Sequence, residues 1–153
     1  MKKRILTSKA QMEEIILKCQ VCYISMIDME NKPYVLPMNF GYKDDYIYLH
    51  GRRTGKKIDT LRANPEVCLV FSTDHQMKYV NEDVACSWSM RYRSVMVHGK
   101  VEFIDDPADR IKAMNIIMSH YAGHEYIYNE PAIKEVQPFK IMVEKMEGRV
   151  YGY

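Results

Sequence analysis

From Val21 onward the chain presents one strand-like run after another, with few helix-length segments between them, and this succession limits its fold more than anything else. "VCYISMID" is rich in β-branched and aromatic residues, and the turn-like "MENKP" follows it. "YVLPMNFGY" reads as the next strand, where Pro37 argues for an edge or a bulge. "KDD" reverses the chain into "YIYLH", a hairpin pattern. "EVCLVFST" is almost continuously apolar, which predicts burial on both faces. From Val84 to Ile104 no good breaker occurs before Gly99, so "RSVMVHGKVEFI" reads as one long strand or two bent ones. Gly99 then marks a bulge or a close backbone approach. "PFKIMVEKMEGRVYGY" alternates as a closing strand.

Three helices fit around these runs. Ser8 can cap "SKAQMEEIILKC", with Gln11 at the capping-box position and Met12, Ile15, Ile16 and Cys19 on one face. "TGKKIDTLRAN" predicts a short helix ending before Pro65. "DDPADRIKAMNIIMSHYAG" carries the clearest signals: Asp106 as cap, Pro107 in the first turn, Gly123 as terminator. Its apolar stripe is Ile111, Met114, Ile117, Met118 and Tyr121. About six or seven strands adjacent in sequence, with three helices beside them, predict an α+β antiparallel barrel. The 153 residues are read as one domain, 1–153, without repeat or linker.

Charge narrows the partners. Lys plus Arg number 22 and Asp plus Glu 20, a near balance that gives no support to nucleic-acid binding by bulk charge. No apolar run approaches the roughly 20 residues that span a bilayer. The opening "MKKRILTSKAQMEE" has no apolar signal core, so a cytoplasmic location is expected. Cys19, Cys22, Cys68 and Cys86 are then expected as reduced thiols.

The densest chemistry lies in "LHGRRTGKKID". A phosphate dianion needs positive charge and converging donors. Thr54 offers a hydroxyl, Gly55 admits close backbone approach, and Lys56 and Lys57 open a helix whose first amides favour anions. A hydrated helix start without a ligand fits the same residues, and no Walker pattern is present. His50 ends an apolar strand beside this loop, and structural and catalytic roles stand level for it. "CQVC" follows a helix end where a reactive pair wants a helix start, so buried structural thiols are expected. "HYAGH" lacks the glutamate of a zincin motif, and no metal is expected there. In "SWSMRYRSV", Arg91 and Arg93 share one side of a strand, with Tyr92 and Ser94 on the other. Trp88 can stack on a ring or fill the core.

Four signatures in order, "PMNF", "LHG…GKKID", "NP" and "YRSVMVHGKVE", resemble the FMN-binding split-barrel family related to pyridoxamine 5′-phosphate oxidase. The resemblance covers about Met12 to Val143 and is nearest to the 5-nitroimidazole-resistance (Nim-type) branch. It implies an antiparallel split β-barrel and a homodimer with FMN in clefts at the subunit interface. By the same resemblance Lys56 and Lys57, with Thr54, hold the cofactor's phosphate. Met38 and Asn39 lie along the flavin ring, His50 and Gly51 stand beside it, and His50 takes part in the reductive chemistry. Ser94, Arg93 and Trp88 reach the cofactor from the partner subunit. The implied activity is an FMN-dependent oxidoreductase passing electrons to a small aromatic, quinone-like or nitroimidazole-type acceptor. The competing implication is a non-catalytic module of the same fold that holds flavin, haem or a deazaflavin. The oxidase's C-terminal basic and aromatic residues, which hold pyridoxal phosphate, do not map onto "EGRVYGY", so vitamin B6 oxidation is not expected.

Overall fold

The computed structural model describes residues 2–153, which form eight strands and four helices. The elements are β1 (Lys3–Leu6), α1 (Lys9–Lys18), β2 (Cys22–Ile27), β3 (Pro33–Met38), β4 (Gly41–Lys43) and β5 (Tyr46–Arg52). They continue with α2 (Lys56–Ala63), β6 (Glu66–Lys78), β7 (Ser89–Phe103), α3 (Pro107–Ala122), α4 (Glu130–Lys134) and β8 (Val136–Tyr151). The strands form one antiparallel sheet in the order β3-β2-β6-β7-β8-β5-β4, with β1 added against β8. Among the described residues no pairing joins β3 to β4, so the sheet curls without closing. It is the antiparallel split barrel of the α+β class that the sequence predicts.

Local signals account for most boundaries. Ser8 accepts from the Gln11 amide and starts α1, which turns Met12, Ile15 and Ile16 inward. Asp106 accepts from the Asp109 amide, Pro107 opens α3, and Gly123, at φ 74°, ends it in the left-handed conformation glycine tolerates. Pro37 does lie on an edge strand, where its missing amide costs no ladder bond. The β7–β8 register shifts between His98 and Gly99, and a Cβ on Gly99 would collide with the Met142 carbonyl oxygen. The glycine therefore marks both a bulge and a close approach.

Five details differ from expectation. "KRIL" pairs with β8 as an eighth strand, and residues 130–134 form a fourth helix capped by Asn129. "YVLPMNFGY" breaks at Asn39 into β3 and β4. After a 3-10 turn, Ala85–Ser87, β7 starts at Ser89, four residues ahead of the Arg93 that opens the expected long strand. In β6 only one face is buried: Val67, Leu69 and Phe71 point inward, whereas Val70 is 37% exposed. Burial on both faces would need a second layer over β6, which this chain alone does not supply.

The core fills the barrel with Ile24, Met26, Leu49, Leu69, Val97 and Ile141, among others, and α1 covers one opening. Phe40 meets Phe71 edge-on, with ring centres 4.9 Å apart. A smaller cluster, Met114, Ile117 and Ile133, joins α3 to α4.

Candidate functional site

The basic loop leaves the barrel where β5 ends. His50 and Gly51 pair with Pro138 and Gln137 of β8, so their backbone is fixed by the sheet. Gly55, at φ 117°, caps α2 with no side-chain bond, which makes Lys56 and Lys57 the first two helical residues. Ile58, Thr60 and Leu61 turn inward and anchor that helix. Successive helical residues are about 100° apart around the axis, so adjacent lysines leave in different directions.

Lys57 runs back over β5. A Cβ built on Gly51 would meet its Cε at 2.9 Å and its Nζ at 3.0 Å, and the amine lies 3.8 Å from the Met38 sulfur. Burial holds the Lys57 pKa below its ordinary value. No carboxylate among the described residues pairs with it within 4.0 Å. His50 is buried enough that its Nδ1 has no hydrogen-bond partner. Burial first, then the Lys57 charge, lowers its pKa from 6.5. Lys56 behaves otherwise. Its amine pairs with the Asp28 carboxylate at 3.1 Å and lies 4.4 Å over the Tyr34 ring. The Asp28 carboxyl is held low by the Lys32 amide and by Lys56. The two ammonium groups thus diverge, and only Lys57 faces His50.

The other sequence-selected residues fall into two groups. Met38, buried at the end of β3, touches Lys57, and Asn39 stands exposed just after it. Thr54 is exposed in the turn, and Arg53 donates to the Lys134 carbonyl at 3.2 Å. Trp88, Arg93 and Ser94 lie elsewhere. Leu49, beside His50, is in line through Phe139 with Phe103 of β7, nine residues beyond Ser94. At about 3.3 Å per residue that separates the groups by up to roughly 30 Å within one protomer. Arg93 is committed to Asp74 at 2.6 Å and lies 4.0 Å over the Tyr153 ring. Arg91 lies over the same ring at 5.5 Å, so the two arginines do share a side. Trp88 donates to the Glu82 carbonyl and packs on Tyr79. Sequence reasoning missed Asp74 and Tyr153, and no motif announces them: a β6 register shift and an Asp74 φ of 56° bring that carboxylate to Arg93.

The remaining candidates are structural. Burial pushes the Cys19 thiol to about 11 and the Cys22 thiol to about 12, far from reactive thiolates. His120 bonds the Cys19 carbonyl at 2.7 Å and packs on Phe40, while His124 bonds the Glu125 carbonyl. Among the described residues no group of three His, Cys, Asp or Glu side chains is placed to hold a metal. No described helix is long and apolar enough to cross a membrane. A cavity of about 780 Å³ opens between α3 and the sheet beside Tyr48, Phe103 and Asp109, and none of the sequence-selected site residues lines it.

A family model described as pyridoxamine 5′-phosphate oxidase matches residues 8–150. A crystal structure described as a candidate 5-nitroimidazole antibiotic resistance protein from Bacteroides thetaiotaomicron is 42% identical, covers 97% of this chain and 87% of its own, and superposes with a TM-score of 0.87. A flavocytochrome from Azotobacter vinelandii shares the fold at 18% identity, covering 97% and 70% with a TM-score of 0.82. An FAD-binding protein from Mesorhizobium loti does so at 24% identity, covering 99% and 100% with a TM-score of 0.71. Among curated proteins nothing matches.

Proposed function

The chain belongs to the pyridoxamine 5′-phosphate oxidase family, and on that premise we propose that it is an FMN-dependent oxidoreductase whose cofactor phosphate is held by Lys57 at the start of α2. The observation that carries this reading is the Lys57 amine, drawn out of water with no carboxylate beside it. A half-buried ammonium is costly unless an anion answers it. The residues fit a phosphate: Lys57 supplies charge, the first amides of α2 point toward the same end, and the Thr54 hydroxyl is exposed nearby. His50, with its unpartnered Nδ1, fits the polar edge of a ring system.

FMN, when bound, supplies the electron-transfer chemistry that none of these side chains has. The chain's own part is binding, orientation and protons. Lys57 neutralises the phosphate; Met38 and Asn39 line the way from it. His50 is a neutral imidazole at neutral pH, because burial and Lys57 both disfavour its cation. It therefore acts there as a hydrogen-bond partner at Nδ1, and donates as an acid only below its depressed pKa. The substrate class we assign is a small aromatic acceptor, quinone-like or nitroimidazole-type, in keeping with the description of the 42%-identical relative. Trp88, Arg93 and Ser94 would come from a second copy in a homodimer, since within one protomer Trp88 lies just before β7 and Arg93 and Ser94 in its first half, away from the His50 end. The half-exposed apolar side chains Tyr23, Val35 and Val70, on neighbouring strands β2, β3 and β6, support such a pairing.

The test is spectroscopic and kinetic. The purified protein should be yellow, release FMN on denaturation, and be reduced by NADH or NADPH and reoxidised by a nitroimidazole or quinone. A colourless protein that takes up no added FMN overturns the reading. Bound flavin that no nicotinamide reduces would favour a non-catalytic flavin-holding module instead.

A further inference from the structure

Glycine at position 51 has no backbone reason to be there. Its φ is not in the left-handed region, and it sits in regular antiparallel register opposite Gln137. In such a position alanine is ordinarily tolerated, and it even stabilises by restricting the unfolded chain. What an added methyl would strike is one side chain. The three nearest atoms are Lys57 Cε at 2.9 Å, Lys57 Nζ at 3.0 Å and Ile58 Cδ1 at 3.7 Å. The first is closer than real Cβ contacts come, the second is tighter than nearly all of them, and both belong to the flexible end of the lysine. The collision is therefore relieved by moving the amine, with no need to move the strand.

We propose that Gly51 is a positioning residue, whose missing side chain is the berth in which the Lys57 amine lies beside His50. This rests on the reading of Lys57 as the phosphate-facing group. The lysine stem crosses the strand only where no Cβ stands, and Met38 and Ile58 flank the path. A methyl at position 51 expels the amine toward solvent, where it can no longer meet an anion held at the start of α2. Gly51 thus acts on the ligand through Lys57, without touching it.

The experiment uses Gly51→Ala, Lys57→Ala and the double variant of the full chain. FMN affinity is measured by fluorescence quenching, and the Lys57 pKa by 13C NMR of its Cε in the FMN-free protein. Gly51→Ala should keep a cooperative melt, weaken FMN by at least about tenfold, and add nothing in the Lys57→Ala background. In the FMN-free protein it should return the Lys57 pKa to the ordinary value near 10.4. An unchanged Lys57 pKa overturns the proposal, and so does a protein that no longer folds, which would assign the glycine to the strand. FMN affinity lost in Lys57→Ala but kept in Gly51→Ala also overturns it, while leaving the phosphate site standing. Should Lys57→Ala bind FMN normally, the phosphate reading falls, and the NMR measurement alone then decides whether the berth exists.

Discussion

Lys57 and His50 are neighbours whose charges oppose each other in a partly dry place, and both have pKa values shifted toward the neutral form. For Lys57 the folded state holds an ammonium that water would solvate better, so the residue costs stability until an anion arrives. Lys57→Met should therefore weaken FMN binding yet raise the Tm of the FMN-free protein by about 2 °C or more, read by differential scanning fluorimetry. For His50 the same sign applies at a lower pH. Its folded pKa lies below the unfolded value of 6.5, so the unfolded chain binds more protons in the interval between them. Stability is lost as pH falls through that interval. His50→Gln should flatten the dependence of Tm on pH between about 5 and 7. The types of these residues were legible in the sequence, but their directions were not. Two adjacent lysines look alike in a string, and only the inward turn of Ile58 decides that Lys56 reaches Asp28 while Lys57 reaches β5.

At the scale of elements, the parts that announce themselves are those with short-range chemistry. Caps at Ser8 and Asp106, the left-handed stop at Gly123 and the bulge at Gly99 all follow from one or two residues. Asp106→Ala should cost about 1 kcal/mol in urea unfolding through the lost Asp109 amide bond. Gly99→Ala should cost more, at least about 2 kcal/mol, because the obstacle is the Met142 carbonyl, a piece of backbone that cannot step aside. The elements that escape a sequence reading are those made by their partners. β1 is four residues with no buried alternation, and exists because β8 offers it an edge. The Asp74 kink in β6 is likewise visible only once Arg93 stands opposite.

For the whole molecule, the open question in the sequence was what covers the second face of β6. The chain leaves Val70 there 37% exposed, and Tyr23 and Val35 on the neighbouring strands 49% and 52%. In the homodimer we propose, Trp88, Arg93 and Ser94 of one copy approach the His50 end of the other across this surface. Val70→Glu should then give a monomer by light scattering, and should lose FMN affinity although position 70 belongs to neither group. The proposed phosphate site depends on one ammonium group and not on a pair. Its most direct test is the FMN dissociation constant of the parent protein against Lys56→Ala and Lys57→Ala. Lys56→Ala, which breaks the Asp28 ion pair and the contact with the Tyr34 ring, should bind within about twofold of the parent, while Lys57→Ala should bind about tenfold or more weakly. Equal losses in both, or a loss in Lys56→Ala alone, would contradict it.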